Sequence, residues 1–395
     1  MKIGFLFNHD ANHQIPHTIA IADALAARGV EVEILTSSLE QRAFAKEMLA
    51  TSSQISFTTL EVGLLSRAAD QMLHHIAPFR RVAILRENIP AFAKLDALVV
   101  PETTSTMLKT RFGLPSLKLI YLPHGAGDGA AGFQAATKIF DFVLLSGRKV
   151  RDRMLQAGLI RDDAHAIVGY PKFDTVDLDQ RARLFDNDKP TVLYNPHFNP
   201  LLSSWYTAGE QVLEWFANQD RFNLIFAPHV MLFKRRIHTS LIHRKSRIRS
   251  DIPKRFLGMP NILLDTGSRR SVDMSYVRAA DIYLGDVSSQ IYEWIQRPRP
   301  AIFLNTHQPN WRTLADYGHW HLGDVLDHWS QMPAALEWAV ERPDRFAERQ
   351  SRANAETFSR TAIPAAQRAA AAILSFLTSA TCISDFAKQA SASIG

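Results

Sequence analysis

Residues Ser275–Asn305, SYVRAADIYLGDVSSQIYEWIQRPRPAIFLN, read as helix, strand, turn, helix and strand in quick succession. Ile282–Leu284 is an apolar run too short for a helix. Gly285-Asp286-Val287-Ser288-Ser289 then supplies turn and capping residues, a helix follows through Trp294, Arg299-Pro300 breaks it, and Ala301–Leu304 is a second strand. Two strands joined by a helix must lie parallel, because the crossover carries the chain back before the second strand begins.

The same alternation extends in both directions. Upstream in this half lie Thr191–Tyr194, a helix near Trp205–Ala217, Leu224–Phe226 and Ile262–Leu264. An earlier series runs from Lys2–Phe7 and a helix ending near Gly29, through Glu31–Leu35, Ile55–Leu60, Ala97–Val100, Leu117–Tyr121 and Phe142–Leu145, to Ile167–Pro171. Between the series, DTVDLDQRARLFDNDK at 174–189 is polar and lacks apolar periodicity. The expected fold is therefore α/β, with a doubly wound Rossmann-like domain over residues 1–175, a second over 188–345, and a C-terminal helical region over 346–395. That last region contains the Ala-rich run Pro364–Leu377 and a small-residue tail expected to be mobile.

The chain has 395 residues, 46% hydrophobic and 21% charged, which fits two globular domains and excludes global disorder. Cys382 is the sole cysteine, so disulfides and Cys-based metal sites are excluded; a cytoplasmic setting is expected. The N-terminal MKIGFLFNHDANH lacks the apolar length of a signal peptide, and no window offers some 18 uninterrupted apolar residues. The net charge of +6 is concentrated: Lys234–Arg255 contains nine Lys or Arg and one Asp, leaving the rest of the chain slightly acidic. Lys234, Arg235, Arg236, Arg244, Lys245, Arg247 and Arg249 are candidates for an anionic membrane surface or a polyanionic acceptor; a solvated helix and loop is the alternative. The segment has no interleaved aromatics for base stacking, so nucleic acid is not expected as a partner.

In open α/β sheets ligands bind beyond the carboxyl ends of the strands. Three histidines follow strands there: His124, with Gly125 and Gly127, after Leu117–Tyr121; His197 after Thr191–Tyr194; and His229 after Leu224–Phe226. Imidazole suits proton transfer near neutral pH, whereas a hydrogen-bonded turn residue is the plainer alternative. Asp286, Ser288 and Ser289 at a helix start, and Ser268, Arg269 and Ser271 before an expected Val272–Ala279 helix, are candidates for holding phosphate. No metal site is expected, since these histidines come with no set of carboxylates.

Together these residues resemble the CDP-glycerol glycerophosphotransferases, the teichoic acid primases and polymerases. The resemblance rests on Ala280-Asp281, Asp286-Val287-Ser288-Ser289 and Arg299-Pro300, on Gly169-Tyr170-Pro171-Lys172-Phe173-Asp174, on His124-Gly125, and on Pro228-His229. It spans about residues 117–305. Where the family follows His-Gly with Thr-Pro, this chain has Ala126-Gly127-Asp128, and Val287 replaces a tyrosine. The resemblance implies a GT-B architecture, two Rossmann-like domains facing a cleft, with no metal or other cofactor. It further implies attack of an acceptor hydroxyl on the phosphorus of a CDP-activated polyol, CMP leaving. His124 would be the general base, with His229 and Ser288–Ser289 stabilising phosphate charge. Such an enzyme would build a cell-surface polymer or glycolipid on a lipid-linked or polyanionic acceptor, working in the cytoplasm or peripherally on the inner face of the plasma membrane. A nucleotide-sugar glycosyltransferase or epimerase of the same fold, and a noncatalytic nucleotide- or polymer-binding protein, are the competing expectations.

Overall fold

The computed structural model describes the chain except for residues 10, 51–53, 74–78, 130–131, 241–244 and 393–395, with backbone alone at 72–73 and 380–392. Its first half builds one parallel sheet of seven strands: β1 (Lys2–Phe7), β2 (Glu31–Thr36), β3 (Ile55–Thr59), β4 (Ala97–Val100), β5 (Lys118–Tyr121), β6 (Phe142–Leu145) and β7 (His165–Ile167). Their spatial order is β3-β2-β1-β4-β5-β6-β7. Phe5 pairs with Ile34 on one side and with Val99 on the other, so β1 is central. Successive β1 side chains face opposite layers. Ile3, Phe5 and Phe7 pack with helix α1 (Ile15–Ala26), and Leu6 packs in the layer on the other face. Burial on both faces is why these strands read as nearly unbroken apolar runs.

The second half repeats the plan with β8 (Thr191–Asn195), β9 (Asn223–Phe226), β12 (Ile262–Leu264), β13 (Ile282–Gly285), β14 (Ala301–Leu304) and β15 (Asp324–Leu326), in the order β12-β9-β8-β13-β14-β15. The basic segment forms a separate antiparallel pair, β10 (Ile237–Ser240) and β11 (Lys245–Ile248), in place of a helix. The order reverses between β1 and β4 in the first sheet and between β8 and β13 in the second, and each reversal opens a crevice at the strand ends.

Three local readings change. The expected Val272–Ala279 helix is a single 3₁₀ turn at Arg269–Ser271 followed by a short helix, Ser275–Ala279. Met274 at φ 66° breaks it, with Asp273 accepting the Ser275 amide at 2.9 Å. Arg249, expected on the basic surface, is 5% exposed; its guanidinium lies 4.2 Å over the Phe233 ring and pairs with Asp251 at 2.8 Å. The region expected to trail off as a tail is helical through Ala392, in a helix that starts at Ala365. Ala366, Ala369, Ala370, Ile373 and Leu377 of this helix join the α1 side of the first sheet's core, and Phe376 stacks on Phe142 at 4.6 Å.

Buried polar ties join the halves. Asp128, 4% exposed, accepts from the Tyr292 hydroxyl at 2.5 Å and the His319 amide at 2.8 Å, and pairs with Lys149 at 2.6 Å. Burial alone would raise its pKa, but His319 and Lys149 hold it well below the carboxylate range. Nearby, Glu293 accepts from Tyr170 at 2.9 Å and from Lys172 at 2.6 Å.

Candidate active site

The two crevices face each other, and imidazoles line the space between them. His9 and His13 follow β1, His124 follows β5, His197 follows β8 and His229 follows β9. The His13 ring is central: its centroid is 4.5 Å from His9, 5.6 Å from His124 and 5.7 Å from His229. His197 lies 5.3 Å from His229, and His17 lies 6.3 Å from His124. The structure thus brings together His124, His197 and His229, and adds His9, His13 and His17, which sequence reading passed over. The strand-end rule applied to β1 would have found His9 and His13, because NHDANH directly follows Phe7.

Backbone contacts assign the ring protons. Nδ1 of His9 accepts the Ala11 amide at 3.2 Å, Nδ1 of His197 accepts the Asn199 amide at 3.0 Å, and Nδ1 of His229 accepts the Met231 amide at 3.2 Å. An accepting Nδ1 puts the proton on Nε2, so each of these rings carries an Nε2–H donor. His124 is the reverse. Its Nδ1 lies 2.7 Å from the Pro101 carbonyl, which can only accept, so Nδ1 holds the proton and Nε2 is a bare lone pair. A 3.4 Å contact from the Gln14 amide to the same nitrogen is the weaker one.

Burial drives the pKa of His9, His13, His17 and His229 well below the imidazole range, with neighbouring imidazoles adding to the shift. That of His197 falls to about 4. Crowding by the cleft walls also lowers His124, though the Pro101 carbonyl opposes it and the side chain is open to solvent. These downward shifts keep the set neutral at pH 7, with a bare nitrogen on His124 and N–H donors on His9, His197 and His229.

The His124 loop touches the second half directly. A Cβ at Gly125 would lie 3.1 Å from the Ser289 hydroxyl, and one at Gly127 would lie 2.8 Å from Ser289 Cβ and 3.2 Å from its Cα. At position 127 only glycine allows this approach, while at 125 the serine hydroxyl could give way. Ser289 is exposed beside it, while Ser288 is buried and its Oγ accepts the Gln290 amide at 3.2 Å. The helix behind them, Gln290–Trp294, has five residues and so little dipole; the serine hydroxyls and turn amides are what this corner offers.

Asp286, expected among the phosphate-binding residues, has no exposed surface. Its carboxylate accepts the amides of His197 at 2.9 Å and Ser204 at 2.6 Å and the Ser204 hydroxyl at 2.9 Å, tying the His197 loop to β13. Burial pushes its pKa up to about 7 despite these donors. Ser268, Arg269 and Ser271 lie on another loop. Ser268 is exposed and its hydroxyl donates to Asp265, and Arg269 forms an ion pair with Glu47 of the first half and lies 5.5 Å over Phe44. Ser271 is half-buried, and its buried hydroxyl has no hydrogen-bond partner.

Of the basic residues, Lys234, Arg236, Lys245 and Arg247 are exposed, Arg235 is half-buried, and Arg244 lies outside the described residues. Among the described residues, no group of three or more His, Cys, Asp or Glu is arranged to hold a metal, and no helix is long and apolar enough to cross a membrane. A larger cavity of about 730 Å³ opens under the 181–190 crossing, against the first residues of β8 and β13, at the opposite end of the second sheet from His197 and Ser289.

No protein-family model matches the chain, and no curated protein matches it. Solved structures do. A histidine-to-asparagine variant of the wall teichoic acid polymerase TagF, soaked with CDPG, is similar with a TM-score of 0.62 and 12% identity, over 96% of this chain and 89% of that one. A putative UDP-N-acetylglucosamine 2-epimerase from Listeria monocytogenes is similar with a TM-score of 0.59 and 12% identity, over 96% of both chains. The glycotransferase of kitacinnamycin gives 0.57 and 14%, over 95% of this chain and 98% of that one. At such identities the likeness is one of fold, and the fold is GT-B: two Rossmann-like domains across a cleft, with C-terminal helices.

Proposed function

We propose that the chain is a transferase moving glycerol phosphate, or a related polyol phosphate, from a CDP-activated donor to an acceptor hydroxyl. The observation that carries the proposal is the opposed protonation of the cleft histidines: a bare Nε2 on His124 against Nε2–H donors on His197 and His229. In-line phosphoryl transfer needs both, a base at the nucleophile and donors at the phosphate oxygens.

The acceptor hydroxyl gives its proton to His124 Nε2 as its oxygen bonds the donor phosphorus; the bond from that phosphorus to the bridging oxygen breaks, and CMP departs with the electron pair. His229 and His197 donate to the phosphate oxygens, and the Ser289 hydroxyl lies at the same corner. His9 and His13 extend this lining in the first half. The fold shared with TagF and the motifs quoted above support the CDP-polyol class. The fold shared with an epimerase and a glycosyltransferase supports a nucleotide-sugar donor as the second reading. A noncatalytic nucleotide- or polymer-binding protein is the third, and predicts binding without turnover.

A donor panel separates them. CDP-glycerol or CDP-ribitol should raise the melting temperature, and an acceptor should then release CMP. Stabilisation by UDP-sugars alone, with no CMP released, would transfer the assignment to the second reading. His124→Ala should lower CMP release at least a thousandfold with donor binding retained; unchanged turnover would remove His124 as base. Because its pKa is lowered, the acid limb of kcat/KM should lie below the ordinary imidazole value of about 6.5. We assign the hairpin β10–β11 as the surface facing an anionic membrane or polyanionic acceptor, which would put the enzyme on the inner face of the plasma membrane.

A further inference from the structure

Beside the histidines, and not part of the donor corner, is a small polar cavity of about 120 Å³ in the first half of the chain. It lies where β1 and β2 end and α2 (Leu39–Met48) begins. Its walls include Arg80, Arg81, Asn8, Asn12, Ser37 and Ser38.

The wall is a built one. Arg80 is anchored by donating to the Ser37 carbonyl at 2.8 Å, and Asn8 donates to the Arg81 carbonyl at 2.9 Å, fixing the backbone that carries both guanidinium groups. Ser37 and Ser38 are organised through Gln41: the Gln41 side chain accepts the Ser37 amide at 3.0 Å and hydroxyl at 2.9 Å, and Ser38 caps α2 by accepting the Gln41 amide at 3.2 Å. Among the described residues the one carboxylate on the wall is Glu40, exposed at the rim and held by Asn12 at 2.9 Å. Two guanidinium-bearing residues, the Ser38 hydroxyl and the start of a ten-residue helix thus line a space of oxyanion size.

The cavity adjoins the chemistry. His9 lines it, and the His9 ring is 4.5 Å from His13, which is 5.6 Å from His124. The positive charge of Arg81 is felt at all three imidazoles, where it helps depress the pKa. The cavity belongs to the same half of the chain as the His124 loop, while His197, His229 and Ser289 belong to the other.

We propose that this cavity is an acceptor subsite that binds a phosphate ester of the acceptor, presenting a neighbouring hydroxyl to His124. The acceptor role rests on the transferase reading above; the anion binding does not. A guanidinium pair recognises the tetrahedral group by fork-like hydrogen bonds, which a neutral sugar would not satisfy. The same group could sit on a free polyol phosphate or on a lipid carrier.

Calorimetric titration at saturating CDP tests this, using glycerol 3-phosphate as the free ester and dihexanoyl phosphatidic acid as the lipid-held one. At least one should bind the wild type. The double variant Arg80→Gln/Arg81→Gln should bind it at least tenfold more weakly, with CDP affinity unchanged within twofold. Arg80→Lys/Arg81→Lys, which keeps the charge but loses the fork, should fall between the two, and matching melting temperatures would show that the variants are folded. Failure of both probes to bind, binding undiminished in the Gln variant, or displacement of the probe by CDP would each overturn the subsite. Probe binding lost in the Gln variant, in a protein that releases no CMP from CDP-glycerol, would uphold the anion site and remove the glycerophosphotransferase reading.

Discussion

A methyl group at position 127 would sit 2.8 Å from Ser289 Cβ, closer than carbon atoms pack, and 3.2 Å from its Cα. Gly127→Ala must therefore push the His124 loop away from the serine corner. Overpacking of this kind costs about 1–3 kcal/mol, and displacement of a catalytic loop by an ångström can cost about a hundredfold in rate. We expect kcat for CMP release to fall at least tenfold with a modest loss in urea stability; wild-type kcat would show that the close approach is incidental. Much of this residue-level picture was legible. His124, His197 and His229 were placed by the strand-end rule alone. Their protonation was not, because Nδ1 of His124 is fixed by Pro101, on a different strand connection. Asp286 was misjudged for a similar reason: its partners His197 and Ser204 are remote in sequence, so a carboxylate beside two serines read as a ligand site and is a buried tie.

The strands of the parallel sheets announced themselves as apolar runs, but β10 and β11 did not. IHTS and KSRI carry too few apolar residues to show a period, and only their pairing, Ile237 opposite Ile248, makes a hairpin of a charge run. That pairing also leaves two isoleucines exposed, at 41% and 69%, on the face of the hairpin opposite Lys245 and Arg247. Lys245 and Arg247 give the other face the positive charge that an anionic bilayer surface attracts. Lys245→Glu/Arg247→Glu should reduce binding to phosphatidylglycerol-containing vesicles about tenfold or more at low salt; equal sedimentation of variant and wild type would discard the hairpin as the membrane surface. The C-terminal helix was legible as a helix from its alanines. Its docking on α1 was not, since Ala366, Ala369 and Ala370 are small residues whose burial depends on what approaches them.

For the molecule as a whole, the arrangement of the halves depends on buried charge. Asp128→Asn would leave Lys149 without its counter-ion and weaken the ties to Tyr292 and His319, at a cost of about 3 kcal/mol. The sign with pH follows from the depressed carboxyl of Asp128: its contribution is present above the ordinary Asp pKa of about 3.9 and is lost as pH falls through the folded value. Wild-type stability should therefore drop on acidification below about pH 4, with a shallower drop in the variant. Urea midpoints measured from pH 7 to pH 3 would show it, and parallel curves for the two proteins would refute it. Sequence reading recovered the two parallel sheets. It could not see this joint, because Asp128, Lys149, Tyr292 and His319 signal nothing by spacing.

The joint bears on how ligands are met. Opening the halves would strip Asp128 of Tyr292 and His319 and Glu293 of Lys172, and the C-terminal helix, which follows the second half in the chain, packs back on the first sheet. Large hinge excursions carry that cost, which favours a cleft whose imidazoles keep their spacing. Affinity is then not diluted by a rare closed conformer, and binding should be rapid and nearly rigid-body, with turnover set by chemistry or by product escape in place of domain closure.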